Sequence, residues 1–300
     1  MVKYASWDGA LVPEEEVLIS PFSATATYGL NVFEGVRAYW NETDGRHTVL
    51  FLQEHLRRLR ESAQVLSIRH PFNERAMKDA LCSLLNTAPE GDLAVRMSLM
   101  VVGDLGESWS SDCSANLAIR YFPSSSMLGQ RRYRSAFTTS WRRPSNAAIP
   151  MSVKCGANYV NSRYGQLQAT SMGMDLPIFL DENGFAVEGG GANLMIRKGD
   201  EITVCAPEQP ILRGITQDYV CKHIDRKVYT VTVRPITLPD LYTADEVLLL
   251  GTTAELTDVT TIDGRNIGGP GDCRMFDHAT RILLDAIQEE RGQSALNDVG

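Results

Sequence analysis

The sequence lacks the features that mark membrane, secreted and nucleic-acid-binding proteins. No uninterrupted apolar run approaches the length that crosses a bilayer, and the first residues contain no apolar core of the kind found in signal peptides. Basic residues are outnumbered, with 29 Lys and Arg against 37 Asp and Glu and a net charge of -8. Because nucleic acids and anionic membranes bind basic surfaces, this balance predicts neither partner.

Cysteine is scarce and scattered. The six cysteines form no CxxC pair, so neither a metal site nor a disulfide framework is expected. Reduced, scattered thiols predict a cytoplasmic protein. Cys155 stands next to Lys154 in the sequence, and we expect it to be a small buried residue rather than a nucleophile.

The chain also lacks internal repeats and low-complexity segments. Its 300 residues, 43% of them hydrophobic, are enough for one large or two medium domains with real cores. Helical and strand patterns mix without regular βαβ spacing, which predicts an α+β fold. A Pro, Ser and Gly-rich break over 123–129 predicts a domain boundary. We expect an N-terminal domain over 1–122, a linker over 123–135 and a C-terminal domain over 136–300.

Apolar spacing predicts the elements within these domains. Asn73 is expected to cap a helix that ends near residue 86, because asparagine commonly precedes an apolar-periodic run. Other helices are predicted over 54–66, 158–172, 216–226 and 277–290. Strands are predicted over 47–52, 93–102, 116–122, 137–141, 184–188, 194–197, 228–234 and 246–251, and near residue 178.

Four separated segments carry groups that suit pyridoxal phosphate. They are Lys154, Glu188 before three glycines, Gly214-Ile215-Thr216, and Gly251-Thr252. A lysine amine forms a Schiff base with the cofactor aldehyde, and a carboxylate keeps the pyridinium nitrogen protonated. Helix starts and small-residue turns offer backbone N–H groups to a phosphate. The order of these groups in one chain predicts a pyridoxal phosphate site.

Several motifs in the same order are shared with a known family. They are YGLNVFEGVR at 28–37, HLRRL at 55–59, KCGANY at 154–159 and GTTAE at 251–255. With them the chain resembles the branched-chain aminotransferases, which are fold-type IV pyridoxal phosphate enzymes, over nearly its whole length. The resemblance implies a smaller N-terminal α+β domain, a larger barrel-like C-terminal domain, and a homodimer or assembly of dimers.

The resemblance also assigns residues to the cofactor. Lys154 is expected to be the Schiff-base residue and then the proton carrier. Glu188 pairs with the ring nitrogen, and Tyr159 hydrogen-bonds the 3-oxygen of the ring. The residues expected to receive the phosphate are Arg58, Ile215, Thr216 and Thr252.

Substrate residues follow from the same resemblance. The N–H groups of Thr253 and Ala254 are expected to hold the substrate α-carboxylate. Arg96 is expected to receive the distal carboxylate of glutamate, and Tyr28 and Phe33 match positions of the substrate pocket.

The chain departs from the family pattern at four positions. Ala94 and Met127 stand where the family has pocket tyrosines, Ala192 replaces a glutamate, and Arg213 replaces a proline. Two lost hydroxyls, and more room at Ala94, leave the preferred side chain of the substrate open.

The leading hypothesis is a ping-pong aminotransferase that acts on a hydrophobic or branched-chain L-amino acid and a 2-oxo acid such as 2-oxoglutarate. One alternative on the same fold is a D-amino acid or amine transaminase, or an aminodeoxychorismate-type lyase. A more remote one is a non-catalytic protein that binds pyridoxal phosphate.

Overall fold

The structure is a computed structural model that describes residues 2–106, 108–109, 112–269, 271 and 273–297, with side chains to residue 292 in the last helix. The chain divides into two units. The first comprises Met1–Ser126, Val153–Ala157 and Ile287–Gly300, and the second comprises Met127–Ser152 and Asn158–Ala286. The domain limits drawn from the sequence stay predictions.

Among its described residues, the first unit contains eight strands, three α-helices and one 3-10 helix. The strands are β1 Tyr4–Trp7, β2 Ala10–Pro13, β3 Asn31–Asn41, β4 Arg46–Val49, β5 Ile68–Arg69, β6 Leu93–Met100, β7 Cys113–Ser114 and β8 Asn116–Pro123. The helices are α1 Ala24–Tyr28, α2 Leu52–Val65 and α3 Glu74–Leu85, with the 3-10 helix at Glu14–Glu16. Six strands form an antiparallel sheet in the order β2-β1-β8-β6-β3-β4, and β5 pairs with β7.

The core of this unit lies between one face of the sheet and helices α2 and α3. Side chains alternate between the faces of a strand, so Val32 and Val36 of β3 point toward the helices. They are buried with Leu56 and Leu59 of α2. The predicted cap of α3 is confirmed, because the Asn73 side chain accepts a hydrogen bond from the N–H of Ala76 at 2.8 Å.

In the part of the second unit that the structure describes there are nine strands, together with four helices. The strands are β9 Tyr133–Arg142, β10 Leu176–Leu180, β11 Ala186–Gly189, β12 Asn193–Lys198, β13 Glu201–Val204, β14 Thr230–Val233, β15 Glu246–Gly251, β16 Glu255–Ile262 and β17 Arg265–Asn266. The helices are α4 Asn158–Ser171, α5 Ile215–His223, α6 Leu238–Tyr242 and α7 Arg274–Asn297, whose last residues count with the first unit.

Six of these strands close into a barrel. The hydrogen-bonded order β11-β10-β9-β16-β15-β12 returns to β11, because Glu188 of β11 pairs with Asn193 of β12. Strands β13 and β14 extend the sheet beyond β12, and β17 pairs with β16. The predicted α+β fold with a barrel-like part is confirmed. Among the described residues no helix is both long and apolar enough to cross a bilayer.

Candidate active site

Lys154 lies in the short piece of chain that packs with the first unit. Its backbone is held on two sides, since its N–H donates to Ser62 Oγ of α2 at 3.2 Å and its carbonyl accepts from the N–H of Phe33 at 3.0 Å. The amine lies 5.1 Å from the centre of the Phe33 ring. Cys155 is buried and bridges to Val32, as expected for a structural thiol. Helix α2 and strand β3 therefore fix the backbone from which the lysine amine projects.

Arg96 contacts the same aromatic ring. Its guanidinium carbon lies 4.8 Å from the ring centre of Phe33, a distance at which cation and ring attract each other. The sheet register explains the contact, because Arg96 of β6 lies opposite Gly35 of β3, a residue without a side chain. The predicted site residues Lys154 and Arg96 thus both lie near the ring of Phe33, a third predicted site residue.

Tyr28 and Ala94 also belong to the first unit. Tyr28 ends α1 and is exposed, with its ring edge-on to Trp109 at 4.6 Å between centres. Ala94 is buried on β6 and lies opposite Arg37 of β3. Arg37 is buried as well and donates from Nη1 to the carbonyl and the hydroxyl of Ser124, both at 2.7 Å.

Arg58 is bound to a carboxylate that the sequence reading did not single out. Its Nε donates to Glu34 Oε1 at 2.7 Å, and its Nη2 donates to Oε2 at 2.8 Å. His55 Nδ1 lies 2.8 Å from the same Oε2. Glu34 lies on β3 between Val32 and Val36, so its carboxylate is fully buried against α2. We name these three residues the Glu34 cluster.

Within the Glu34 cluster, the carboxylate of Glu34 stays ionised in the core and is paired with the cation of Arg58. Burial on its own raises the pKa of Glu34, but the bonds and charges of Arg58 and then His55 outweigh it and lower that pKa from 4.5 to about 2. Burial also lowers the pKa of His55, against the opposite effect of Glu34. A carboxylate can only accept, so Nδ1–H of His55 is the donor. Arg58 is therefore fixed in orientation by a forked ion pair.

In the second unit, Glu188 is buried at the point where β11 pairs with β12. Its Oε1 lies 2.8 Å from Arg143 Nε, and its Oε2 accepts from the N–H of Leu212 at 3.2 Å. Both side chains are buried, so this contact is an ion pair between opposite charges away from water. An arginine and a backbone N–H both favour the ionised carboxylate.

Arg143 is itself enclosed. Burial lowers its pKa, and Glu188 acts in the opposite direction. Its guanidinium carbon lies 3.9 Å from the ring centre of Phe179, and its Nη2 donates to the carbonyl of Gly189 at 2.8 Å. The tip of that ring is closed off by Gly165 of α4, where an added Cβ would lie 2.2 Å from Phe179 Cζ. The arginine beside Glu188 is therefore held by packing as well as by hydrogen bonds.

The start of α5 is fixed to the same place in the barrel. Asn193, which pairs with Glu188, donates from Nδ2 to the carbonyl of Leu212 at 2.7 Å. Gly214 is the N-cap of α5, and a Cβ there would lie 1.9 Å from Asn193 Oδ1, so only glycine fits. Glycine has no side chain with which to cap the helix, so the N–H groups of Ile215 and Thr216 face outward at the positive end of the helix dipole.

Thr252 meets this helix start. Its hydroxyl lies 3.5 Å from that of Thr216, at the edge of hydrogen-bond distance. Thr252, Thr253 and Ala254 form the hairpin loop between β15 and β16, in which Gly251 pairs with Glu255.

Tyr159 lies in the first turn of α4. Its ring is 4.0 Å from the place where a Cβ on Gly191 would stand. A Cβ on Gly251 would lie 3.1 Å from the Gly191 carbonyl. Small residues therefore let the ring of Tyr159, the Gly191 turn and the Gly251 hairpin approach closely.

These groups fit pyridoxal phosphate by their chemistry. A buried, ion-paired carboxylate suits a pyridinium nitrogen, and a helix start next to two threonine hydroxyls suits a phosphate. The residue that the sequence reading missed here is Arg143. The signal for it was an arginine at the end of a predicted strand, which the sequence alone does not distinguish from its exposed neighbour Arg142.

Comparison with known proteins agrees with this chemistry. Residues 31–262 match the family described as amino-transferase class IV. The chain belongs to the class IV aminotransferase family. It is a pyridoxal phosphate enzyme and an aminotransferase.

Relatives of known name share this family. A probable branched-chain-amino-acid aminotransferase of Aquifex aeolicus is 33% identical over 88% of this chain and 86% of its own length. A putative one of Methanocaldococcus jannaschii is 37% identical over 87% of this chain and 88% of its own length.

Solved structures in the family superpose closely. The branched-chain aminotransferase of Thermoproteus uzoniensis with norvaline gives a TM-score of 0.88 at 30% identity, covering 97% of this chain and 96% of that one. The branched-chain amino acid aminotransferase of Thermobaculum terrenum in its PLP-form gives a TM-score of 0.88 at 28% identity, covering 96% of this chain and 95% of that one.

Proposed function

We propose that this aminotransferase moves the amino group of a hydrophobic or branched-chain L-amino acid to 2-oxoglutarate. The observation that carries the proposal is the ring of Phe33, which has the Lys154 amine within 5.1 Å of its centre and the Arg96 guanidinium within 4.8 Å. A dicarboxylic acceptor that reacts beside Lys154 then has a cation nearby for its distal carboxylate. Arginine suits this task because its fork binds a carboxylate through two hydrogen bonds.

The names of the relatives support the amino donor. Each is called a branched-chain aminotransferase, and one was solved with norvaline, an apolar amino acid. In this chain Phe33 and Met127 stand at positions where the resemblance expects pocket residues, and both offer apolar surface. For the amino donor, this apolar surface suits a hydrophobic side chain.

The residues divide the work of the reaction. Pyridoxal phosphate, when bound, withdraws electrons from the substrate Cα through its ring. Lys154 takes the proton from Cα, and its fixed backbone keeps the amine in reach. Glu188, kept ionised by Arg143, accepts a hydrogen bond from the ring nitrogen. The N–H groups of Thr253 and Ala254 would hold the α-carboxylate of the bound amino acid and so fix its orientation.

The residues expected to hold the phosphate are Arg58, Thr252 and the N–H groups of Ile215 and Thr216.

The same proposal includes a homodimer or an assembly of dimers. Helix α4 supports it, because Val160, Tyr164 and Leu167 form an exposed apolar stripe on one side of the helix. Interface cores are poor in charge, and Arg163 is the single charged residue of α4. The cytoplasmic location stays a prediction from the scattered cysteines.

A substrate panel tests the proposal. The purified holoenzyme is incubated with L- and D-amino acids, 2-oxoglutarate or pyruvate, and glutamate or alanine is quantified. Glutamate from L-leucine, L-valine or L-isoleucine, with no product in Lys154→Ala, is the expected result. Product from D-amino acids alone favours the D-transaminase alternative. Pyruvate released from aminodeoxychorismate, in a separate assay without any 2-oxo acid, favours the lyase alternative. A protein that binds the cofactor and forms no product from any donor contradicts the proposal.

A further inference from the structure

Glu255 occupies a backbone conformation that its residue type disfavours. Its φ is 53°, in the left-handed region where glycine is preferred and other residues are strained. It follows the three-residue loop of the β15–β16 hairpin, where the geometry of such a loop calls for a left-handed residue. Its side chain is nevertheless buried, with 3% of the residue exposed. A strained residue with a buried carboxylate points to a task for that carboxylate.

The carboxylate holds a distant segment of the chain. Glu255 Oε2 accepts a hydrogen bond from the backbone N–H of Met127 at 2.6 Å. Met127 stands where the resemblance expects a pocket tyrosine, and Glu255 directly follows the loop expected to bind the substrate α-carboxylate. One hydrogen bond therefore connects two predicted parts of the substrate pocket, both within the second unit.

Two further contacts fasten the same segment to the same hairpin. Arg132 donates from Nη2 to the carbonyl of Ala254, which fixes the peptide that joins Ala254 to Glu255. Arg131 donates from Nη2 to Asp258 Oδ2 at 2.6 Å. Three contacts thus join segment 127–132 to the hairpin, so a displaced hairpin loop is expected to displace the backbone at position 127.

We propose that Glu255 is a positioning residue that sets which amino acid side chains the enzyme accepts. It keeps Met127 at a fixed distance from the N–H groups of Thr253 and Ala254. A substrate bound by its α-carboxylate then reaches Met127 only with a side chain of suitable length. Because the Met127 thioether is flexible and apolar, the class it selects is hydrophobic amino acids discriminated by size. The inference rests on the proposed function.

The test compares Glu255→Gln and Glu255→Gly with the wild type. Glutamine keeps the shape and removes the charge, whereas glycine removes the side chain and relieves the left-handed backbone. We measure kcat/KM for L-alanine, L-norvaline, L-leucine and L-methionine with a constant acceptor. Both variants are expected to reduce the ratio of best to worst substrate about tenfold, mainly through KM, while they retain the absorbance of bound cofactor. Glu201→Gln, an exposed glutamate of β13, is the matched control and keeps the ratio.

A double variant sharpens the result. If Glu255 and Arg132 act together to join segment 127–132 to the hairpin, Arg132→Gln also reduces the ratio of kcat/KM between the best and the worst substrate. The double variant then reduces this ratio by less than the product of the two single effects. Equal losses for all four substrates together with a lower melting temperature indicate a merely structural residue and overturn the inference. An unchanged ratio in both Glu255 variants overturns it too. A wild type that makes no glutamate at all contradicts the proposed function instead.

Discussion

Replacing Glu34 by glutamine removes the charge at the centre of the Glu34 cluster and is expected to weaken the fold strongly. The pKa of this carboxyl falls from 4.5 to about 2, and burial opposes that fall while Arg58 and His55 cause it. One pKa unit corresponds to about 1.4 kcal/mol, so the ionised carboxylate contributes about 3 kcal/mol to the free energy of unfolding. Removing one partner of a buried pair also leaves the other charge poorly solvated.

The same numbers predict how this loss depends on pH. The folded pKa is lower than the unfolded one, so the unfolded chain binds more protons between the two values. The contribution is therefore complete above about pH 4.5 and is lost as the pH falls toward 2. The part of the difference in free energy of unfolding that comes from the Glu34 carboxyl itself should be constant from pH 7 to pH 5 and shrink below it. Any change between pH 7 and pH 5 comes from His55, because Glu34 raises the pKa of His55 against the effect of burial.

Urea unfolding followed by tryptophan fluorescence measures both effects. Glu74→Gln is the matched control, because it breaks an exposed ion pair with Arg60, which lies on α2 as Arg58 does. The Arg60 side chain is 53% exposed and that of Glu74 39%. Exposed pairs contribute less than about 1 kcal/mol, so this variant should be almost as stable as the wild type. A loss in Glu34→Gln no larger than in the control, or one that does not change between pH 5 and pH 3, would show that the Glu34 charge does not stabilise the fold.

Two further predictions concern other parts of the molecule. Arg143→Gln leaves Glu188 buried without its cation, so we expect the affinity of the apoprotein for the cofactor to fall at least about tenfold, as measured by equilibrium dialysis. Arg142→Gln changes the exposed neighbouring position and should leave this affinity unchanged. Equal affinities of the two variants would contradict the assigned role of Arg143. Leu167→Lys places a charge in the exposed apolar stripe of α4, so we expect it to lower the molar mass of the particle measured by light scattering after gel filtration. A molar mass equal to that of the wild type would show that this stripe is not part of the proposed interface.

The regular elements followed from apolar spacing wherever one side of a strand or helix was uniform. Strand β15 runs from Glu246 to Gly251 as predicted, and α3 begins after its predicted cap at Asn73. Strand β3 is the largest element that the pattern did not predict. Glu34 and Arg37 interrupt its apolar alternation, and both are buried because partners far away in sequence bind them. Spacing along the chain contains no information on such partners.

In the candidate site, too, some residues could be predicted from the sequence and others could not. Lys154, Glu188 and the glycines could be found because their residue types suit one cofactor. Arg143 and Glu255 could not be assigned, since one depends on the packing of Phe179 and the other on a left-handed backbone. The sequence also suggested a phosphate for Arg58, whereas the structure places two of its nitrogens on Glu34, and the phosphate contact stays a prediction.

The contact between Gly165 and Phe179 has a consequence for how this enzyme varies and how it is engineered. Any side chain at position 165 meets the ring, which in turn lies against Arg143. The two positions are therefore expected to covary among relatives, with larger residues at 165 found only where position 179 is smaller. A library of variants built to change the substrate range should keep both positions constant. A single substitution at either one is expected to displace Arg143, the arginine beside Glu188, whatever its effect on the substrate pocket.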